Sequence, residues 1–253
     1  VDEAARFVDL SDYMRPLADR FVARLVNTAV TPIQVTLAYG VVGLACGWVV
    51  LQRSLLGYVV AVGLLMLKNL LDSVDGGLAR TRRKPSRVGR LLDSLSDFFI
   101  NAWLLYAIAP DQPFLALVAL VSITVQGTFY NYYYVLYRHA TAGDTTSRVM
   151  EGWDSPYPYD PRWAVITLVA LYQFVYGWQD CIARWVDALL TKGKCPAPTP
   201  RFLTPASVFG LGVHLAVIAL SLMAGKPVWS LYAFVGPFNA FLAILLALRR
   251  REA

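Results

Sequence analysis

The chain has 253 residues, of which 57% are hydrophobic and only 16% charged, with a mean hydropathy of +0.49, a balance that argues against a water-soluble domain and for an integral membrane protein. The net charge of +6 does not imply nucleic acid, because the basic residues form no separate domain and no recognition motif stands beside them. Cys46, Cys181 and Cys195 have neither metal-ligand spacing nor the pattern of a disulfide framework, although Cys181 and Cys195 could pair if their loop faced an oxidising space.

At the start of the chain, Phe7, Leu10, Met14, Leu17, Phe21 and Leu25 recur at helical spacing, while Asp9, Asp12, Arg15, Asp19, Arg20 and Arg24 fill much of the remainder. This predicts an amphipathic helix over residues 1–28, lying at the membrane surface or packed against the bundle, with a kink or a restart after Ser11 or Asp12 because Pro16 interrupts the pattern. The acidic opening "VDEAARF" lacks the basic start and apolar core of a cleavable signal.

Crossing a hydrocarbon layer of roughly 30 Å takes about 20 residues. Apolar runs of suitable length lie near 33–51, 55–71, 91–109, 113–137, 162–180, 206–224 and 227–248. They are continuous rather than alternating, so the expected fold is an all-α polytopic bundle of about six spans drawn from seven apolar segments, with all 253 residues in one membrane-embedded domain. Arg80, Arg82, Arg83, Lys84, Arg87 and Arg90 form the densest basic cluster, which places their loop in the cytoplasm. Seven full crossings would then put the terminal Arg249–Arg251 outside, against the same rule. The run from 162 to 190 is the one expected not to cross simply, since "YGWQDCIARWVDALL" turns amphipathic midway.

The charge that most needs explaining lies at the inner ends of the second and third apolar runs. Asp72 and Asp75 are three apart and Asp93 and Asp97 four apart, so each pair occupies one face of its own helix. A short loop between the helices can bring the two faces together. Four carboxylates crowded at a membrane boundary repel one another and are costly to desolvate unless cations sit among them. Mg²⁺ or Mn²⁺ suits an all-oxygen set that also meets phosphate, and four carboxylates leave room for two ions. The alternative is a buried salt-bridge network with the nearby arginines. Gly76 and Gly77 would let a phosphate or nucleotide approach the backbone, Ala79 keeps the volume small, Arg80 offers a planar fork to phosphate oxygens, and Gly89 would let the next helix begin close by.

These residues resemble a known signature, that of the CDP-alcohol phosphotransferases: D-x2-D-G-x2-A-R, about eight residues, then G-x3-D-x3-D. It stands complete here as Asp72, Asp75, Gly76, Ala79, Arg80, Gly89, Asp93 and Asp97. The resemblance is sharp over 72–97, is weakly supported by the "TP" of "TPIQVT", and is otherwise architectural. It implies a membrane-embedded, homodimeric enzyme that transfers a substituted phosphate from a CDP-alcohol to an acceptor alcohol, with release of CMP, in phospholipid synthesis. It further implies that Asp72, Asp75, Asp93 and Asp97 hold two divalent ions, that Asp97 is the general base, and that Asp72, Gly76, Ala79, Arg80 and Gly89 meet the CDP group. CDP-diacylglycerol is the expected donor, with a soluble CDP-alcohol and a lipid acceptor as the alternative. Arg138 and Arg148 are candidates for an acceptor phosphate, or else membrane anchors. Two rival functions are a prenyltransferase, whose acidic motifs normally lie farther apart than the 18 residues between Asp75 and Asp93, and a cation transporter, which would need polar residues at mid-bilayer depth in several helices.

Overall fold

A computed structural model describes residues 7–141, 148–153, 155 and 157–251. Residues 1–6 of the expected amphipathic segment therefore lie outside the described residues. All regular structure within the described residues is helical: α1 (Arg15–Leu25), α2 (Pro32–Leu51), α3 (Leu55–Thr81), α4 (Arg87–Ile108), α5 (Pro113–Thr141), α6 (Arg162–Tyr172), α7 (Trp178–Leu190), α8 (Pro200–Ala206), α9 (Leu211–Met223), α10 (Val228–Ala233) and α11 (Asn239–Arg249). A π-helical turn, Gln173–Gly177, joins α6 to α7, and another, Phe234–Phe238, joins α10 to α11.

Five helices are long and apolar enough to cross a membrane: α2, α3, α4, α5 and the continuous Val228–Arg249. A sixth crossing is available from Pro200–Phe209 with Leu211–Met223, which are bent by 45° at Gly210. On α2, Leu37, Val41, Leu44 and Trp48 are exposed along one face at helical spacing, a stripe suited to lipid. The protein is a multi-pass membrane protein.

The helix from 162 to 190 is not among the candidate spans, and its contacts show how it lies. Just before its start, Asp160 accepts hydrogen bonds from the Ser86 hydroxyl (2.7 Å) and the Arg87 amide (2.8 Å) at the beginning of α4. Near its end, Asp187 accepts from the hydroxyl of Tyr132, in the last third of α5. Both ends thus meet the side on which the 82–86 loop and the end of α5 lie. Arg249 donates to Asp187 at 2.9 Å in a fully buried ion pair, so Arg249–Arg251 come to that same side. This resolves the conflict that seven simple crossings would create.

Among the described residues the helix expected over 1–28 is confined to Arg15–Leu25: residues 7–14 are not helical, and α1 begins with Pro16 in its first turn, where a missing N–H costs nothing. Ala18 and Val22 pack against Val35 and Val74, whereas Leu17 and Phe21 stay exposed. The face docked on the bundle is therefore one step round from the Leu17–Phe21 line, which is left open. Arg82 fixes it there, donating to the carbonyls of Leu25 (2.7 Å), Val26 (3.1 Å), Thr28 (2.9 Å) and Val30 (2.5 Å). Arg87 and Arg90 pair with Glu151. These three arginines do more than orient the loop. All three cysteines are free, so Cys181 and Cys195 are not joined.

Removing one partner of a buried ion pair leaves the other uncompensated, typically at about 3–5 kcal/mol, and an apolar replacement of both is far milder. Arg249→Met should lower the melting temperature of the detergent-solubilised protein by several degrees, and Asp187→Leu combined with it should recover much of the loss.

Candidate active site

The α3 helix runs unbroken through the charged stretch, its N-terminus capped by Ser54, whose side chain accepts from the Gly57 amide. α4 is started by the equivalent use of Ser86, which accepts from the Gly89 amide at 3.0 Å. The last turns of α3 and the first turns of α4 lie together, and Asp72, Asp75 and Asp93 each offer a carboxylate oxygen within 4.8 Å of the others. Such a group of hard oxygen donors fits a divalent cation of the Mg²⁺ or Mn²⁺ kind.

Three side chains that the motif does not contain organise this cluster. Thr36 on α2 donates to Asp75 Oδ2 at 2.7 Å, and one turn later Tyr39, fully buried, donates to Asp93 Oδ1 at 2.6 Å. Lys68, with 1% of its surface exposed, donates to Asp72 Oδ2 at 3.1 Å and also to Asp97 Oδ1. Its ammonium sits 4.8 Å from the centre of the Tyr39 ring. Asp97 is thus brought to the edge of the cluster but held by a lysine, not grouped with the other three.

A cavity of about 340 Å³ opens beside the carboxylates. Asp75 and Asp93 stand on one wall, Gly76, Ala79 and Gly89 on the adjoining surface, and Arg80, Arg138 and Arg148 also line it. A Cβ at Gly89 would meet only Ser86 and Ile33 at ordinary contact distances, so this glycine leaves room on the cavity side and is not what lets α4 approach α3. Gly77 points elsewhere: a Cβ there would come within 2.8 Å of Val22, making it the seat of α1. Asp97 does not line this cavity. It faces a second one, of about 170 Å³, between α4, α5 and the 172–180 stretch.

Six of the eight motif positions thus line the first cavity together with Arg138 and Arg148, Asp72 joins them through the carboxylate group, and Asp97 faces the second cavity. The family model of the CDP-alcohol phosphatidyltransferases matches residues 16–192, from α1 through α7. The chain belongs to the CDP-alcohol phosphatidyltransferase family. Inner membrane protein YnjF of Escherichia coli (strain K12) is 36% identical over 107 residues, which are 41% of this chain and 50% of that protein, so the match spans about half of the relative's length. The CDP-alcohol phosphatidyltransferases are transferases of substituted phosphate groups that use divalent metal, and membership sets aside the prenyltransferase and transporter readings. The bent pair and Val228–Arg249 lie beyond the matched region.

Lys68 stands four residues before Asp72, the i,i+4 spacing of a helical ion pair, and this was the available signal for it. Thr36 and Tyr39 were signalled only as polar groups inside an apolar run.

If Lys68 neutralises Asp72 and Asp97 without metal, Lys68→Met should lower the melting temperature in EDTA, and added Mn²⁺ should raise it more in the variant than in the wild type. Equal Mn²⁺-induced shifts would show that the lysine and the cation do not compete for these carboxylates.

Proposed function

We propose that the protein transfers a phosphatidyl group from CDP-diacylglycerol to an acceptor alcohol, releasing CMP, at a site facing the cytoplasm. The observation that carries this reading is the first cavity, which sets the three-carboxylate group against Arg80, Arg138 and Arg148 within reach of a bilayer-embedded donor. Arg80 is the fork for the diphosphate, and Arg138 and Arg148, sharing its cavity, add charge on the donor side. Gly76, Ala79 and Gly89 leave the nucleotide space along the backbone, and Asp72, which does not itself line the cavity, reaches the CDP group only through the carboxylate cluster. The basic 82–90 segment beside this cavity supports the cytoplasmic orientation. A homodimer belongs to the same reading and rests on the family.

Asp72, Asp75 and Asp93 would hold Mg²⁺ or Mn²⁺. A bound divalent ion would draw charge from the phosphate oxygens as the phosphorus is displaced. This donor set accounts for one ion, and the second that the resemblance implies would need Asp97, which Lys68 engages. Asp97 acts as the base: the acceptor oxygen bonds to the phosphorus distal to cytidine, its proton passes to the Asp97 carboxylate, and the bridging P–O bond breaks with its electron pair leaving on CMP. Lys68 positions Asp97 for that transfer, and Tyr39 and Thr36 hold Asp93 and Asp75.

Purified protein incubated with CDP-diacylglycerol, Mn²⁺ and a panel of acceptor alcohols should release CMP, and EDTA should abolish the release. General-base contributions are typically about 10²–10⁴-fold, so Asp97→Asn should slow CMP release by at least about 100-fold while CDP-diacylglycerol still binds. CMP release only from a soluble CDP-alcohol in the presence of diacylglycerol would reverse which substrate carries the lipid.

A further inference from the structure

We propose that the second cavity is the acceptor site, and that the acceptor is a small polar alcohol bearing hydroxyl or amino groups and no phosphate; this rests on the phosphotransfer reading above. Ser94, Asp97 and Asn101 lie on one face of α4, at i, i+3 and i+7, and all three line this cavity. Asp93, one turn before Asp97 on the same face, lines the first cavity instead. α4 therefore lines both spaces, its first turns the one with the arginines and its later turns the other, with Asp93 and the proposed base Asp97 next to each other where the two meet. An acceptor whose hydroxyl is in contact with Asp97 has the rest of its body in the second cavity.

The chemistry there is unlike that of the first cavity. Thr128, Asn131, Tyr172 and Asp180 add further hydroxyl, amide and carboxylate groups to a lining that Ile123, Phe209 and Leu211 make partly apolar. Among the described residues lining it there is no lysine or arginine, and its one histidine, His214, is bonded through Nε2 to Gln126 at 3.0 Å. A phosphate lodged there would meet Asp180 and Asp97, whose one cationic partner, Lys68, is already shared with Asp72, and would find no lysine or arginine in the lining to bind it. Hydroxyl and ammonium groups find the acceptors they need in the same two carboxylates. Tyr172 donates to one oxygen of Asp180 at 3.2 Å, which holds that side chain in place. Arg138 and Arg148 line only the first cavity and so are placed for the donor, not for an acceptor phosphate.

The test uses the full-length protein with CDP-diacylglycerol and Mn²⁺, and compares myo-inositol, glycerol, serine and ethanolamine with inositol 1-phosphate, glycerol 3-phosphate and diacylglycerol. CMP release with a member of the first group is expected. For that acceptor Asp180→Asn should raise KM about tenfold, as loss of a hydrogen bond to a charged group does, and leave the donor KM unchanged. Gly127→Leu fills the cavity from a position where a Cβ meets only the Phe209 carbonyl at 3.8 Å, so it should fold. It should keep CDP affinity within about twofold and cut CMP release at least tenfold. CMP release confined to the phosphorylated acceptors or diacylglycerol, or an unchanged acceptor KM and turnover in Gly127→Leu, overturns the inference while the phosphotransfer reading stands. No CMP with any acceptor overturns both.

Discussion

Gathering Asp72, Asp75, Asp93 and Asp97 at the ends of two membrane-embedded helices creates a concentration of negative charge that the surrounding protein has to answer. Carboxylates brought out of water repel one another strongly where the dielectric is low, and isolated ionised groups there are costly. The answer is distributed. Lys68 supplies a buried positive charge between Asp72 and Asp97, Thr36 and Tyr39 supply hydroxyl donors to Asp75 and Asp93, and three carboxylates turn toward a common point. Each of the three helices α2 to α4 contributes: α2 the hydroxyls, α3 the lysine and two aspartates, α4 the other two.

The rest of the architecture keeps those three helices in register. α1 seats Val22 over Gly77, and Arg82 ties the α1–α2 connection to the end of α3 through four carbonyls. Glu151 and Asp160 hold the beginning of α4. With the helix ends fixed, the cluster stands between two cavities of opposite character, one basic and the other carboxylate- and hydroxyl-lined. On the proposed function, that separation would give donor and acceptor different surroundings beside the same carboxylates.

Much of this was legible in the sequence because it depends on spacing. The pairs 72/75 and 93/97, the apolar runs, the helix start at Pro16 and the atypical 162–190 helix all follow from helical periodicity, composition and proline chemistry. What was not legible depends on contacts between distant segments. The bonds of Thr36 to Asp75 and Tyr39 to Asp93 join residues 39 and 54 positions apart, and nothing local marks them. Gly77 and Gly89 look alike in sequence, yet one seats α1 and the other borders a cavity. Arg82, Arg87 and Arg90 read as topology signals because their partners lie in the irregular segments at 25–30 and 151–160. The α4 helical wheel puts Asp93 and Asp97 on one face, and only the positions of α5 and the 172–180 stretch give Asp97 a cavity of its own.

The central claim is that Asp72, Asp75 and Asp93 form a divalent-cation site preorganised by α2. Titration of the purified protein with Mn²⁺, followed by electron paramagnetic resonance of the free ion, tests it without reference to any substrate. Saturable binding that is lost in Asp75→Asn and Asp93→Asn, and weakened in Tyr39→Phe, is the predicted result. Binding of equal affinity and stoichiometry in wild type and all three variants would contradict it.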